Sequence, residues 1–350
     1  MSINVASRTS WDPDGLIKEI NQPNVKAVIY FFSVEFERFE PHKAFKRAFP
    51  HAACIGSSMM GGWCTTGAVE KGVVAMSLSS DEVEEAFVSL QEGVKTDPAL
   101  AARKIIEELK RKLGYHTFYP NTYLGLVFFD GLCRGEEIIR NFTFEKAFNL
   151  NLIGGAAADE LAFAKTLVSA DERCSDDGVV VMVLKMKIPF HCNHYVHCLP
   201  TNTSFVITKS DMVNRIIWEI DGQHAAEYYA KVIGVSDVNK LGFPYFARNP
   251  LGIIIGDTVY IRAMEQVVHG TALKTNCSVE EGTRMYLLRR GDIIAQARKS
   301  LEEVVQHQYL TNIQGALLFN CALRYLELQE INKITEFNRL FERLSFVGFN

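Results

Sequence analysis

The chain has 350 residues, 48% of them hydrophobic and 22% charged, with a formal net charge of -4. That is an ordinary globular composition, long enough for about two domains, and the mild negative charge gives no case for a nucleic-acid or anionic-membrane partner. No apolar run approaches the roughly 20 residues that cross a bilayer, and the opening MSINVASRTSWDPDG lacks the apolar core of a signal peptide, so the protein is read as cytoplasmic.

In chain order, AVIYFFS (27–33) is predicted as a strand, PHKAFKRAFP (41–50) as a short helix, ACIGSS (53–58) as a second strand and KGVVAMSL (71–78) as a third. The stretch TDPALAARKIIEELKRKLG (96–114) is a helix that Thr96 or Asp97 can cap, with Pro98 in its first turn and Gly114 at its end. The first series then recurs: LGLVFFD (124–130), a short helix in FTFEKAFNL (142–150), NLIGGA (151–156) and DGVVVMVL (177–184). Phe32 to Gly56 is 24 positions and Phe129 to Gly154 is 25. The continuous β-branched runs predict strands buried on both faces, in a strand–helix–strand unit followed by a further strand and used twice.

Pro200 and TNTS interrupt the pattern, and a boundary there divides the chain into 1–200 and 201–350. Beyond it, FVITKSDMVNRIIWEI (205–220) reads as two strands around a turn and DGQHAAEYYAKVIG (221–234) as a helix. Strands are expected within 251–268 and 279–290, and a helix over 291–309. A third copy starts at GALLFNC (315–321), continues through helix-like INKITEFNRLFERL and closes at FVGFN (346–350), with Phe319 to Gly348 spanning 29 positions. Its G-V-V strand has no counterpart, so the sequence is expected to be cut short or this copy to be incomplete. The fold class expected is α/β in the mixed α+β sense: repeated strand–helix–strand units around largely buried sheets, in two halves.

Catalytic templates are missing: no G-x-x-x-x-G-K-[ST], G-x-G-x-x-G, H-E-x-x-H or G-x-S-x-G occurs. Ser57 and Ser58 follow a strand in IGSSMMGG, but the spacing is wrong for a nucleophile elbow, and the plain reading is a small-residue turn. The eight cysteines, none in a C-x-x-C pair, are read as reduced and several as small buried residues.

The order VIYFFS…ACIGSSMMGGWCTTGAV, LGLVFFDG…LIGGAAAD and GALLFNCALRYLELQ…FVGFN resembles the FIST family, a bacterial sensory domain with paired N- and C-terminal halves. FVITKSDMVNRIIWEIDGQHAAEYYAKVIG resembles the start of the C-terminal half, and VYIRAMEQ…VEEGTRMYLLRRGD also fits. The resemblance implies a sensory module that binds a small molecule such as an amino acid or other carboxylate. It would pass that state to a separate partner such as a histidine kinase, chemotaxis receptor or diguanylate cyclase. A subset of the family binds haem and senses nitric oxide. The family continues past the last G-F-x with T-x-G-E and a final strand, so the resemblance implies a C-terminal domain truncated at Asn350.

In open α/β sheets ligands bind beyond the carboxyl ends of the strands. Three such ends are marked: Gly56-Ser57-Ser58, Gly154-Gly155, and Asn320-Cys321 with Arg324 one turn on. Glycine turns expose backbone N–H groups to an anion, and an arginine clamps a carboxylate with two parallel bonds. Trp63, in GGWCTTG, is a candidate apolar wall. The plain alternatives are tight turns and an Arg324–Glu327 surface pair. An enzyme acting on a small acid, with Ser57, Cys64 or Cys321 as nucleophile, is a further class, and a scaffold without ligand another.

HCNHYVHC (191–198) concentrates three histidines and two cysteines. As a strand it would place His191, Asn193, Tyr195 and His197 on one face and Cys192, His194, Val196 and Cys198 on the other. Structural zinc needs four ligands, usually from two clusters, and the other histidines are scattered singly. Haem needs only one axial residue; His194 is the first candidate, with His191 and His197 beside it. A polar connecting segment is the plain reading.

Overall fold

The computed structural model describes residues 3–114, 119–144, 151–307 and 313–350 as a mixed α+β protein. It divides into two compact units, Met1–Asn193 with Glu302–Asn350, and His194–Leu301. Among the described residues no helix is long and apolar enough to cross a membrane.

The first unit opens with β1 (Asn4–Arg8) and α1 (Pro13–Ile20), whose Asp12 cap accepts the Gly15 N–H at 3.0 Å. Next come β2 (Val25–Phe32), α2 (Pro41–Ala48), β3 (Ala53–Ser58), the hairpin strands β4 (Gly62–Cys64) and β5 (Gly67–Val69), and β6 (Val73–Ser79). β2 and β3 pair in parallel with Tyr30 opposite Gly56, and β6 lies antiparallel on the far side of β2. The second copy comprises β7 (Val83–Glu92), α3 (Pro98–Leu113), β8 (Tyr123–Phe129), α4 (Gly135–Phe144), β9 (Asn151–Ala156), the hairpin β10 (Val168–Ala170) and β11 (Arg173–Ser175), and β12 (Gly178–Met186). Asp97 caps α3 by accepting the Leu100 N–H. β8 and β9 are parallel with Val127 opposite Gly154, and β12 is antiparallel to β8. Of the helix expected in FTFEKAFNL, residues 142–144 form the end of α4, and residues 145–150 lie outside the described residues.

The second unit holds β13 (Cys198–Asp211), β14 (Ile216–Ile220), β15 (Gln223–His224), α5 (Ala225–Val232) and α6 (Phe243–Arg248). Its remaining strands are β16 (Leu251–Ile255), β17 (Thr258–Arg262), β18 (Met264–Val268), β19 (Ala272–Thr275) and β20 (Arg284–Arg290). They form an eight-stranded sheet over a core that includes Phe205, Tyr229, Phe246 and Met285. Residues 191–197 have no regular structure, so the alternating faces expected of HCNHYVHC as a strand are not formed.

α7 (Ile293–His307) leads back to the first unit, which ends with β21 (Gly315–Phe319), α8 (Ala322–Glu330), α9 (Ile334–Arg339) and β22 (Ser345–Phe349). β21 and β22 are parallel, with Leu318 opposite Gly348. The repeat glycine therefore sits at one register in all three copies, and Phe319 stands with Phe31 and Phe128 rather than with Phe32 and Phe129. The reason for the glycine is steric. A Cβ would lie 2.3 Å from the Tyr30 ring at Gly56, 1.9 Å from the Val127 carbonyl oxygen at Gly154 and 2.1 Å from that of Leu318 at Gly348.

The copies exchange hairpins. β10–β11, which follows the second copy's strand pair, completes the first sheet in the order β1-β6-β2-β3-β10-β11. β4–β5, from the first copy, completes the third as β21-β22-β4-β5, and the second runs β7-β12-β8-β9. Inner faces meet in one core that includes Ile29, Ile55, Met76, Leu126, Met182 and Val347. At its centre Phe31, Phe128 and Phe319 form a triangle with ring centroids 5.4, 5.8 and 6.3 Å apart. Phe349 packs on all three at 4.8–5.8 Å. Separate clusters bury the outer faces of the first sheet against α1 and α2, and of the second against α3 and α4.

Candidate functional site

The three marked strand ends do not share one environment. Gly56, Ser57 and Ser58 are fully enclosed strand residues. Ser57 Oγ donates to the Ser58 carbonyl at 2.9 Å. Ser58 Oγ donates to the Ala158 carbonyl at 2.8 Å and accepts the Leu167 N–H at 2.9 Å. The Ser58 hydroxyl holds the segment between β9 and β10 against β3, and neither serine is exposed to solvent. Gly154 approaches the β8 backbone, and a Cβ at Gly155 would meet the Phe349 ring at 3.3 Å. The room beside Gly155 is thus taken by the ring that covers the aromatic triangle.

The third end gathers polar groups. Trp63, on β4, donates its indole N–H to Asn350 Oδ1 at 2.8 Å. Asn320, just past β21, donates its amide to the same oxygen at 2.8 Å, and Arg324 Nε donates to Asn320 Oδ1 at 2.8 Å. Asn350 also gives its backbone and side-chain N–H groups to the Gly61 carbonyl, each at 3.1 Å, and accepts the Met60 N–H at 3.0 Å. Three candidates, Trp63, Asn320 and Arg324, are therefore brought into one hydrogen-bonded chain by a fourth residue. Trp63 is fully buried, its ring 5.7 Å from Tyr325 and 5.0 Å from Phe337. Cys321, at the N-cap of α8, is exposed, and Arg324 is half-buried one turn into the helix. The guanidinium of Arg324 is held through Nε, its Nη2 is shielded from solvent, and it lies in the first turn of α8.

Asn350 carried no signal in the sequence beyond ending FVGFN. Asp130 was missed as well, although an acid directly after the apolar run LVFF is unusual. It is fully buried, accepts the Thr166 hydroxyl and the Leu132 N–H, and lies 3.6 Å from Lys95 Nζ. Of the other nucleophile candidates, Cys64 is buried. Burial pushes the thiols of Cys54 and Cys174 up to about 12 and that of Cys192 to about 11, which removes them as thiolates at neutral pH.

Two open clefts lie elsewhere in the first unit. One, of about 420 Å³, is lined by Glu37, Glu40, His42, Glu172, Arg173 and Cys174. Lys165 closes on Glu37 there with bonds of 2.7 and 2.8 Å, and burial pushes the His42 pKa below its ordinary value. The second, of about 380 Å³, lies between Lys46, His51, Lys112 and Asp171. Neither cleft is lined by His191, His194 or His197. His191 and His194 are exposed, His194 stacking on Tyr260 at 5.9 Å, and His197 is buried with Nε2 3.9 Å from Cys198 Sγ. Among the described residues no group of three or more His, Cys, Asp or Glu side chains is placed to hold a metal ion.

Comparison with curated proteins gives no match. Two family models do match: the FIST N domain over residues 26–223 and the FIST C domain over residues 225–350. FIST domains are sensory modules of signal-transduction proteins. With both halves matched in order, the chain belongs to the FIST family.

Proposed function

We propose that the chain is a cytoplasmic sensory module that binds a small carboxylate, such as an amino acid, at the third strand end and passes its bound state to a separate signalling protein. The observation that supports this reading is the hydrogen-bonded chain Arg324–Asn320–Asn350–Trp63, which orients a half-buried guanidinium beside the start of α8. A guanidinium fork matches a carboxylate with two parallel bonds, and the helix start favours the negative charge. A ligand that pulls on Arg324 also pulls, through Asn320 and Asn350, on the β4–β22 pairing. Two arrangements of that pairing with different ligand affinities would be enough to transmit a state. Among the described residues His191 and His194 are exposed and His197 is buried beside Cys198, which gives the haem reading less support.

The test is a thermal-shift and calorimetric screen of the twenty amino acids and small mono- and dicarboxylates. At least one is expected to raise the melting temperature, with a shift that grows as the logarithm of ligand concentration above its Kd. Arg324→Ala is expected to weaken its binding at least tenfold, with Arg324→Lys intermediate because a point charge replaces a fork. If no carboxylate binds, or Arg324→Ala binds as well as the parent, this reading fails. A saturable Soret band on titration with haemin, lost in His194→Ala, would replace it with the haem reading.

A further inference from the structure

The larger open cleft of the first unit, about 420 Å³, is lined from two sides. Glu37 comes from the short 3-10 helix Val34–Phe39, and Glu40 and His42 from the start of α2. Opposite them stand Glu172, in the turn from β10 to β11, and Arg173 and Cys174 on β11. Three of these six residues are acidic. Arg173 is engaged outside the cleft, donating to the Leu90 carbonyl at 3.1 Å and lying 3.6 Å from Glu92. Burial holds the Cys174 thiol up near 12, so it adds no charge at neutral pH.

The cleft also holds acceptors that nothing in the chain uses. His42 is only 8% exposed, and among the described residues its ring forms no hydrogen bond. Buried polar groups without partners are uncommon, and this one is part of the cleft wall. Burial keeps its pKa below the ordinary imidazole value, so at neutral pH the ring is uncharged and one nitrogen can accept a hydrogen bond. Glu172 is exposed, and its carboxylate has neither hydrogen bond nor ion pair among the described residues.

The chain itself displays the chemistry that fits. Lys165, between β9 and β10, donates its ammonium to both carboxylate oxygens of Glu37, at 2.8 and 2.7 Å. The two side chains are 41% and 39% exposed, and an ion pair as open as this adds little stability and exchanges readily.

We propose that this cleft binds a short aliphatic diamine, one ammonium taking the place of Lys165 on Glu37 and the other meeting Glu172. An alkylammonium carries three donors and no acceptor. A wall of carboxylates with one uncharged imidazole offers it acceptors, and its bonds to the carboxylates are charge-assisted. The volume suits a small molecule. The cleft contains neither Arg324 nor its partners, so the proposal holds whether or not a carboxylate binds there.

The probe is 1,4-diaminobutane, titrated into the intact protein by calorimetry at low salt, with 1,4-butanediol as the uncharged control. Saturable binding is expected for the diamine and none for the diol. Glu37→Gln is expected to weaken binding at least tenfold, and His42→Phe at least threefold. Lys165→Met removes the resident ammonium and is expected to tighten binding at least threefold, a gain that a damaged fold would not produce. Absence of saturable binding, or unchanged affinity in any of the three variants, overturns the proposal. So does equal competition by magnesium, which would show a site that selects charge alone. Tighter binding of Nα-acetyl-lysine methylamide than of the diamine overturns it too, by assigning the cleft to a lysine side chain of another protein.

Discussion

Single residues divide into those fixed by contact and those fixed by backbone conformation, and the two are separable. Gly154 has φ +144° and its Cβ would strike the Val127 carbonyl, whereas Gly67 has φ +139° with nothing within 4 Å. Gly154→Ala is expected to destabilise by about 3 kcal/mol, from strain plus a displaced strand, and Gly67→Ala by about 1 kcal/mol, from strain alone. Equal shifts in chemical denaturation would show that the β8 contact is not what selects glycine. At this scale the sequence marked Gly56 and Gly154 as candidate ligand-binding turns, the structure gives each a steric reason to be glycine, and composition does not separate the two roles. The cysteines give a second test. Folded protein treated with iodoacetamide at pH 8 is expected to label exposed Cys321 well before buried Cys54 and half-buried Cys174, whose thiols are held up near 12. Labelling of Cys54 at the pace of Cys321, read by mass spectrometry, would contradict the packing around β3.

Among the elements, the irregular segment from β9 to β10 is held by several independent constraints. Glu160, Leu161 and Phe163 have φ of 62°, 67° and 51°, which side chains of this bulk seldom adopt. Asp159 holds them there by accepting the N–H groups of Phe163, Ala164 and Lys165 at 2.6–3.0 Å. Lys71 contacts Glu160 at 3.1 Å and Lys165 is bonded to Glu37. Asp159→Ala is expected to lower stability by about 2 kcal/mol, because three donors lose a charged acceptor. It should also open the Leu161–Phe163 stretch to chymotrypsin. An unchanged cleavage rate would mean that the ion pairs alone hold the segment. The long elements were legible in the sequence: α3 with its Asp97 cap, the parallel pairs, and the β13–β14 hairpin. Three-residue strands such as β4 and β10 are too short to show a period of two, so GGWCTTGAV offers only Trp63 as an apolar wall and its pairing with β22 stays hidden. HCNHYVHC has alternation enough for a strand, but the chain passes there from one compact unit to the other.

At the scale of the whole chain, the repeat was visible but not its wiring. Recurrence of apolar runs gave three copies, while the exchange of hairpins between them is a long-range pairing that no local pattern encodes. The third copy was also read one residue out of phase, because GALLFN has a single phenylalanine where the others have two. The aromatic triangle is where the copies are tied together. Phe128→Ala is expected to cost about 3–5 kcal/mol, with coincident loss of near- and far-ultraviolet circular dichroism. A far-ultraviolet signal that outlasts the near-ultraviolet one would show that the sheets hold without the triangle. The exchange also has a consequence in time. Trp63 and its partner Asn350 are 287 positions apart. At the roughly 5–20 residues per second of protein synthesis, the β4–β5 hairpin leaves the ribosome about 15–60 s before the strand it is to pair with. Through that interval an entire second unit is made, and an apolar indole waits without its acceptor. The nascent chain is therefore open to chaperones and to misassociation at Gly62–Val69 through that interval, and only the emergence of β22 locks this hairpin in place.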